Sequence, residues 1–193
     1  MIDFNLLFLK KIWLQFLLLL CLFVLILQSA QSRQATLADA ERKLLESLRI
    51  TPATIWIEAH NFAGELPDGK TVRLEDYQGR FVLLNFWATW CLPCLKEMPD
   101  FERAYQEIGE EKLVVLAVGM GEDKIKIRKF AEKYGFTYPL LADPDMEITR
   151  LYGVKNIPVT YLIDPKGVIL GRALGVREWA NLDLLAFIKS QFW

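Results

Sequence analysis

From Phe81 to Ala88 the chain is apolar at every position except Asn85, and through Thr89 it runs into Trp90-Cys91-Leu92-Pro93-Cys94. No other stretch constrains the fold as strongly. A short apolar run without alternation is the pattern of a central strand covered on both faces. The segment that follows, Leu95 to Ala104, reads as a helix. Cys91 and Cys94 therefore stand at a strand-to-helix turn, two residues apart, where they can close a small disulfide ring and open it again. Cys91 falls at the helix N-terminus, where unpaired N–H groups and the helix dipole favour an anion, so its thiol pKa falls. Only a thiolate attacks disulfides. Pro93 occupies the first helical turn, where its missing N–H costs nothing, and it helps to tune the relative stability of the two thiolates. The pattern implies dithiol–disulfide exchange.

Composition removes several other classes. The net charge is −1, without the basic surplus that a nucleic-acid-binding face needs. His60 is the single histidine, which argues against a histidine-built metal site or a Cys-His protease. It reads as a surface or internally satisfied histidine. Of three cysteines, Cys21 lies in an apolar N-terminal run. The other two span one turn, so as a structural staple they would constrain almost no chain entropy. A zinc site needs four ligands, and no second Cys/His pair exists. Gly119-Met120-Gly121 lacks the phosphate-loop pattern and its following Lys-Ser/Thr. No metal and no separate cofactor is expected.

Residues 12–27 are apolar apart from Gln15, with Lys10 and Lys11 ahead of them. At about 1.5 Å per residue this run covers roughly 24 Å, and Gln28, Ser29 and Ala30 extend it toward the roughly 30 Å of a hydrocarbon core. The reading adopted is a cytoplasmic N-terminus over 1–11 and an uncleaved signal anchor over 12–30. A cleaved signal is the alternative, with a weak site around Ser29 to Ser32. The two lysines favour the cytoplasmic side, which puts the remainder outside the cell membrane as a single-pass protein. A juxtamembrane linker over 31–54 follows. It includes an amphipathic helix with Leu37, Ala40, Leu44, Leu45 and Leu48 at helical spacing, ended by Thr51-Pro52.

Residues 55–193 form the main domain. Ile55 to Glu58 is a candidate strand, and Asp68-Gly69 turns a hairpin between Phe62–Leu66 and Thr71–Leu74. The cysteine helix extends to Ile108, a buried strand covers Lys112–Val118, and a helix over Asp123–Tyr134 stops at Gly135. A short strand, Tyr138–Leu141, a short helix, Pro144–Tyr152, and a hairpin, Val159–Ile163 with Val168–Leu174, follow. The closing helix, Glu178–Gln191, has Leu182, Leu185, Phe187 and Ile188 as candidate core contacts. An early hairpin, a βαβ crossover, a second hairpin and a last helix make a mixed sheet flanked by helices.

That order, together with three separated motifs, resembles a known family. Asn85 to Pro99 is similar to the signature of the TlpA/ResA-type branch of the thioredoxin superfamily, whose members are exported or membrane-anchored disulfide reductases. Leu66 to Gly79 resembles that branch's entry hairpin, and Gly153 to Gly167 its proline loop and hairpin. The resemblance implies an α/β thioredoxin-like fold with an N-terminal β-hairpin addition and an N-terminal transmembrane helix. It implies Cys91 as nucleophile, Cys94 as resolving thiol and a redox-active Cys91–Cys94 disulfide. Pro158 is implied to be cis and to face that pair, with Ile157 and Trp90 bordering bound substrate. Thr160 reads as a strand residue.

Asn85 departs from thioredoxin, where an aspartate below the cysteines moves protons. Leu92 and Val159 stand where some members of the branch carry a glutamate. Glu97, the nearest carboxylate in sequence, is a candidate tuning residue, or equally an acid favoured by the helix dipole. The proton acceptor for Cys94 is left unassigned. The implied partners are disulfide-bearing proteins, apocytochrome c among them, and a membrane thiol electron donor. Two rivals stand beside this reading. A thiol peroxidase of the peroxiredoxin branch would need a Pro-x-x-x-Thr/Ser-x-x-Cys setting, absent before Cys91. A redox-inert binding module or copper metallochaperone would use Cys91 and Cys94 as soft ligands.

Overall fold

The computed structural model describes residues 3–192, with side chains described except at 3–12, 18, 27 and 29–38. It divides into two units, Met1–Lys43 and Leu44–Trp193. In the first, helix α1 (Asp3–Ser47) carries the apolar run, and every described side chain from 13 to 26 is exposed. Among the described residues no helix is long and apolar enough to cross a membrane. Side chains 12, 18 and 27 of the run, 29 and 30 of the predicted anchor, the predicted segment 1–11 and positions 31–38 of the predicted linker lie outside the described side chains. The stretch expected as a separate amphipathic helix is the end of α1. That end is held in the second unit, where Leu45 and Ile50 are buried. Thr51-Pro52 does not terminate the helix. Arg49 does, at φ 57°.

In the second unit, eight strands form one sheet in the order β1-β8-β7-β4-β5-β6-β2-β3. They are β1 (Thr51–Pro52), β2 (Ala63–Glu65), β3 (Thr71–Arg73), β4 (Phe81–Trp87), β5 (Leu113–Met120), β6 (Leu140–Asp143), β7 (Val159–Ile163) and β8 (Ile169–Leu174). β4, β5 and β6 run parallel, while β7 lies antiparallel to β4 and β8 to β7. The proline of β1 is tolerated because β1 is an edge strand. Ile55 to Glu58 contributes only an isolated bridge, Glu58 to Val168, because Ile55 and Trp56 face solvent.

The β4 run is apolar apart from Asn85 because both its faces are covered. Phe81, Leu83 and Trp87 point to one side, against α2 (Leu92–Ile108), α3 (Lys124–Tyr134) and α5 (Leu182–Ser190). Val82, Leu84 and Phe86 point to the other, against α4 (Glu147–Leu151) and the 3₁₀ turn Leu74–Tyr77. α3 has the expected stop, with Gly135 left-handed at φ 72° and donating to the Ala131 carbonyl, and it starts on an Asp123 cap. Gly119 in β5 lets α3 approach closely, since a Cβ there would meet Ile127 Cδ1 at 2.4 Å.

α5 begins later than predicted. The Asn181 side chain caps it by accepting from the N–H groups of Asp183 and Leu184. That start turns Leu182 outward at 76% exposure, so it is not a core contact. Leu184, Leu185 and Ile188 are buried, with Phe187 packed at the edge of the core. The preceding Trp179 leaves helical geometry to enter the core and stacks on Phe101, ring centroids 5.2 Å apart.

Candidate active site

β4 ends at Trp87, and α2 begins five residues later, at Leu92. Cys91 is the α2 N-cap, and its Sγ accepts the Cys94 N–H at 3.3 Å. The two sulfurs form a disulfide, with Cα atoms 5.3 Å apart. Pro93 lies in the first turn. Cys91 retains 5% of its surface and Cys94 none, so an incoming sulfur reaches Cys91 alone. Trp90 and Leu92 flank it at 64% and 71% exposure, an apolar rim around a narrow opening. Trp87, by contrast, is core and packs on Phe130.

β7 delivers the second part of the site. Phe86 of β4 pairs with Val159 of β7, so Pro158, one residue earlier, sits beside the end of β4 from which the cysteine turn departs. The Ile157–Pro158 peptide bond is cis. Pro158 is buried and its carbonyl accepts from Gly175 N–H at 2.8 Å. Ile157 is partly buried against the core cluster that contains both cysteines.

On the inward face of α2 that Cys94 also occupies, Glu97 organises a buried polar group. Three residues beyond Cys94, it shares that residue's face of α2 and points inward, 1% exposed. Its Oε1 accepts from Asn85 Nδ2 at 3.2 Å; its Oε2 accepts from Trp179 Nε1 at 3.1 Å and Arg177 N–H at 3.2 Å. Asn85 Nδ2 also donates to Thr160 Oγ1 at 3.0 Å. Burial raises the Glu97 pKa to about 7, against the opposing pull of those donors. A carboxyl titrating near neutrality on the same helix face as a thiol can accept and return a proton. The helix-dipole reading does not by itself account for Glu97, whose side chain is buried and engaged with Asn85, Trp179 and Arg177. Asn85 cannot titrate, but it aims the carboxylate, and its own Oδ1 has no hydrogen-bond partner among the described residues.

Some members of the site carry no local motif. Trp179 and Arg177 reach Glu97 from more than 75 residues away. Glu122, also buried, accepts from Thr89 N–H at 3.0 Å and Thr89 Oγ1 at 2.8 Å, and so pins the turn ahead of Cys91. Lys126 Nζ lies 3.0 Å from the same oxygen. Only the i, i+4 spacing of Glu122 and Lys126 was there to be read. His60 lies elsewhere, exposed and edge-on to Tyr152. Leu92 is exposed and Val159 buried, so neither supplies a proton-carrying group.

Comparisons with known proteins agree with this geometry. The AhpC/TSA family model matches residues 57–172, more than half the chain. Thiol-disulfide oxidoreductase ResA of Bacillus subtilis is 38% identical over 133 residues, 68% of this chain and 74% of that protein. ResA of Geobacillus thermodenitrificans is 42% identical over 102 residues, 53% of this chain but only 59% of that protein. The crystal structure of a DsbF homologue from Corynebacterium diphtheriae superposes with TM-score 0.61 at 26% identity, covering 73% of this chain and 90% of that one. With a disulfide at the N-cap of α2 on a thioredoxin-like sheet, the chain belongs to the AhpC/TSA family, among its thiol-disulfide oxidoreductases.

Proposed function

We propose that this protein is a membrane-anchored, externally facing reductase of protein disulfides, and that the Cys91–Cys94 pair is its whole redox centre, without a cofactor. The observation that carries the reading is a reactive pair of unequal access whose second cysteine shares a helix face with a buried carboxyl. The reduced protein attacks through the Cys91 thiolate. An S–S bond forms between Cys91 and one substrate cysteine, and the other substrate cysteine leaves as a thiolate and takes a proton from solvent. Glu97 then accepts the Cys94 thiol proton, and Cys94 Sγ attacks Cys91 Sγ. The mixed disulfide breaks, the second substrate thiol departs with a proton, and the intramolecular disulfide remains. Two electrons have passed to substrate, and a donor dithiol restores the pair. Trp90, Leu92 and Ile157 supply apolar contact for the substrate chain.

Anchoring is supported by the exposed apolar side chains from Trp13 to Ile26. A contiguous surface of that kind needs covering, and Lys10 and Lys11 ahead of it favour an outward-facing domain. The resemblance of Asn85 to Pro99 to the TlpA/ResA-type signature supports apocytochrome cysteines as one substrate class and a membrane dithiol as donor. The potential of the Cys91–Cys94 couple tests the direction. A value below about −200 mV is expected, and one near −120 mV would make the protein an oxidant instead. In the same preparation, Cys94→Ser should accumulate the mixed disulfide, visible as the substrate's added mass, and Cys91→Ser should form none. Proteolysis of intact cells from outside should degrade the domain while leaving the N-terminal segment in the membrane fraction.

A further inference from the structure

A cleft of about 520 Å³ is walled by residues 47–49, the first turns of α2 and the segment between β8 and α5. Arg49, Lys96, Arg103 and Arg177 line it, against Asp100 and Glu178. Asp100 is already engaged, one oxygen with Arg103 and the other accepting from Ala180 N–H at 2.9 Å. The Arg177 guanidinium donates to the carbonyls of Arg49 and Val176, and its charge bears on the buried Glu97 carboxyl. Among the described residues no carboxylate lies within ion-pair distance of Arg49, Lys96 or Arg177. The cleft is therefore a cationic surface with a deficit of partners.

Its position ties it to the chemistry. Lys96 and Arg103 continue, at helical spacing, a stripe of α2 that begins at exposed Leu92, next to Cys91. Opposite, Arg177 N–H donates to Glu97, and Gly175 N–H holds the Pro158 carbonyl. Lys96 is five residues past Cys91, about 7.5 Å along the helix axis, a distance that two to three residues of extended chain cover.

We propose that the cleft receives an acidic segment of the substrate polypeptide, with carboxylates two to four residues from the attacked cysteine seated against Lys96 and Arg49. This rests on the reductase reading and names its substrate class. A polypeptide is the occupant because the group in the cleft must be continuous with the cysteine held at Cys91. Charge complementarity makes that group a carboxylate.

The test uses the reduced full chain and three synthetic disulfide peptides that carry Glu, Gln or Lys at those flanking positions. At low salt kcat/KM should fall in that order, with at least a fivefold gap between Glu and Lys peptides, and the gap should close in 0.5 M NaCl. In the double variant Arg49→Glu, Lys96→Glu the Glu-to-Lys ratio should drop to one or below. Because the ratio is taken within one protein, it cancels any change in folding or thiol reactivity. Equal rates for all three peptides, or an unchanged ratio in the variant, would overturn the acidic-segment proposal alone. Reduction of none of them would overturn the reductase reading, and the proposal with it.

Discussion

Glu97→Gln isolates what the buried carboxyl costs and what it contributes. In the folded protein Glu97 holds its proton up to about pH 7, whereas the ordinary value is 4.5. The folded state thus binds more protons than the unfolded chain between those limits, so stability is greatest at the acid end and falls as pH rises through about 7. At 1.36 kcal/mol per decade the loss is roughly 3 kcal/mol at most. Glutamine fits the same space. Its oxygen can accept from Trp179 and Arg177, and its amide can donate to Asn85 Oδ1, which lacks a partner, once the Asn85 amide turns over. The variant should match the parent near pH 4.5 and exceed it near pH 8 by up to about 3 kcal/mol. With a urea slope of about 2 kcal/mol per molar, that difference moves the midpoint by about 1.5 M. Urea titrations of the oxidised proteins at pH 4.5, 6 and 8 measure it. Stability curves that run parallel over the whole range would refute the perturbed carboxyl and, with it, its role as proton acceptor for Cys94.

Trp179→Phe keeps the stack on Phe101 but deletes the N–H donor to Glu97. It should push the Glu97 titration above pH 7, followed by carboxyl NMR, and cost about 1–3 kcal/mol at pH 8. Gly119→Ala should destabilise by about 1–3 kcal/mol in urea, because Ile127 must move aside. Leu185→Ala should cost about 2–5 kcal/mol, while Leu182→Ala stays within about 0.5 kcal/mol. Equal losses at the two leucines would show that the α5 cap has been misread.

Features encoded within a few consecutive residues were legible from the sequence. The β4 run, the cysteine turn, the Asp68-Gly69 hairpin and the Gly135 stop each follow from local rules. The phase of α5 was not legible, because the Asn181 cap competes with the apolar pattern and moves the helix start past Trp179. Glu97 was visible as a carboxylate but not as a buried one. Its environment is built by Asn85, Thr160, Arg177 and Trp179 from separate elements. Glu122 was hidden for the same reason, since its partner Thr89 is 33 residues away. Three-dimensional closure of the sheet brings these groups together, and no spacing in the chain announces it.

Pro99 lies inside α2, and with no N–H to offer it leaves the carbonyl of Leu95 out of the helical ladder. The helix is thereby weakest one turn after the second cysteine. What the ladder lacks there the side chains supply, since Cys94, Glu97 and Met98 are all buried and Glu97 is bonded to Asn85 and Trp179. The cysteine turn is thus fastened to the domain through its side chains as much as through its backbone.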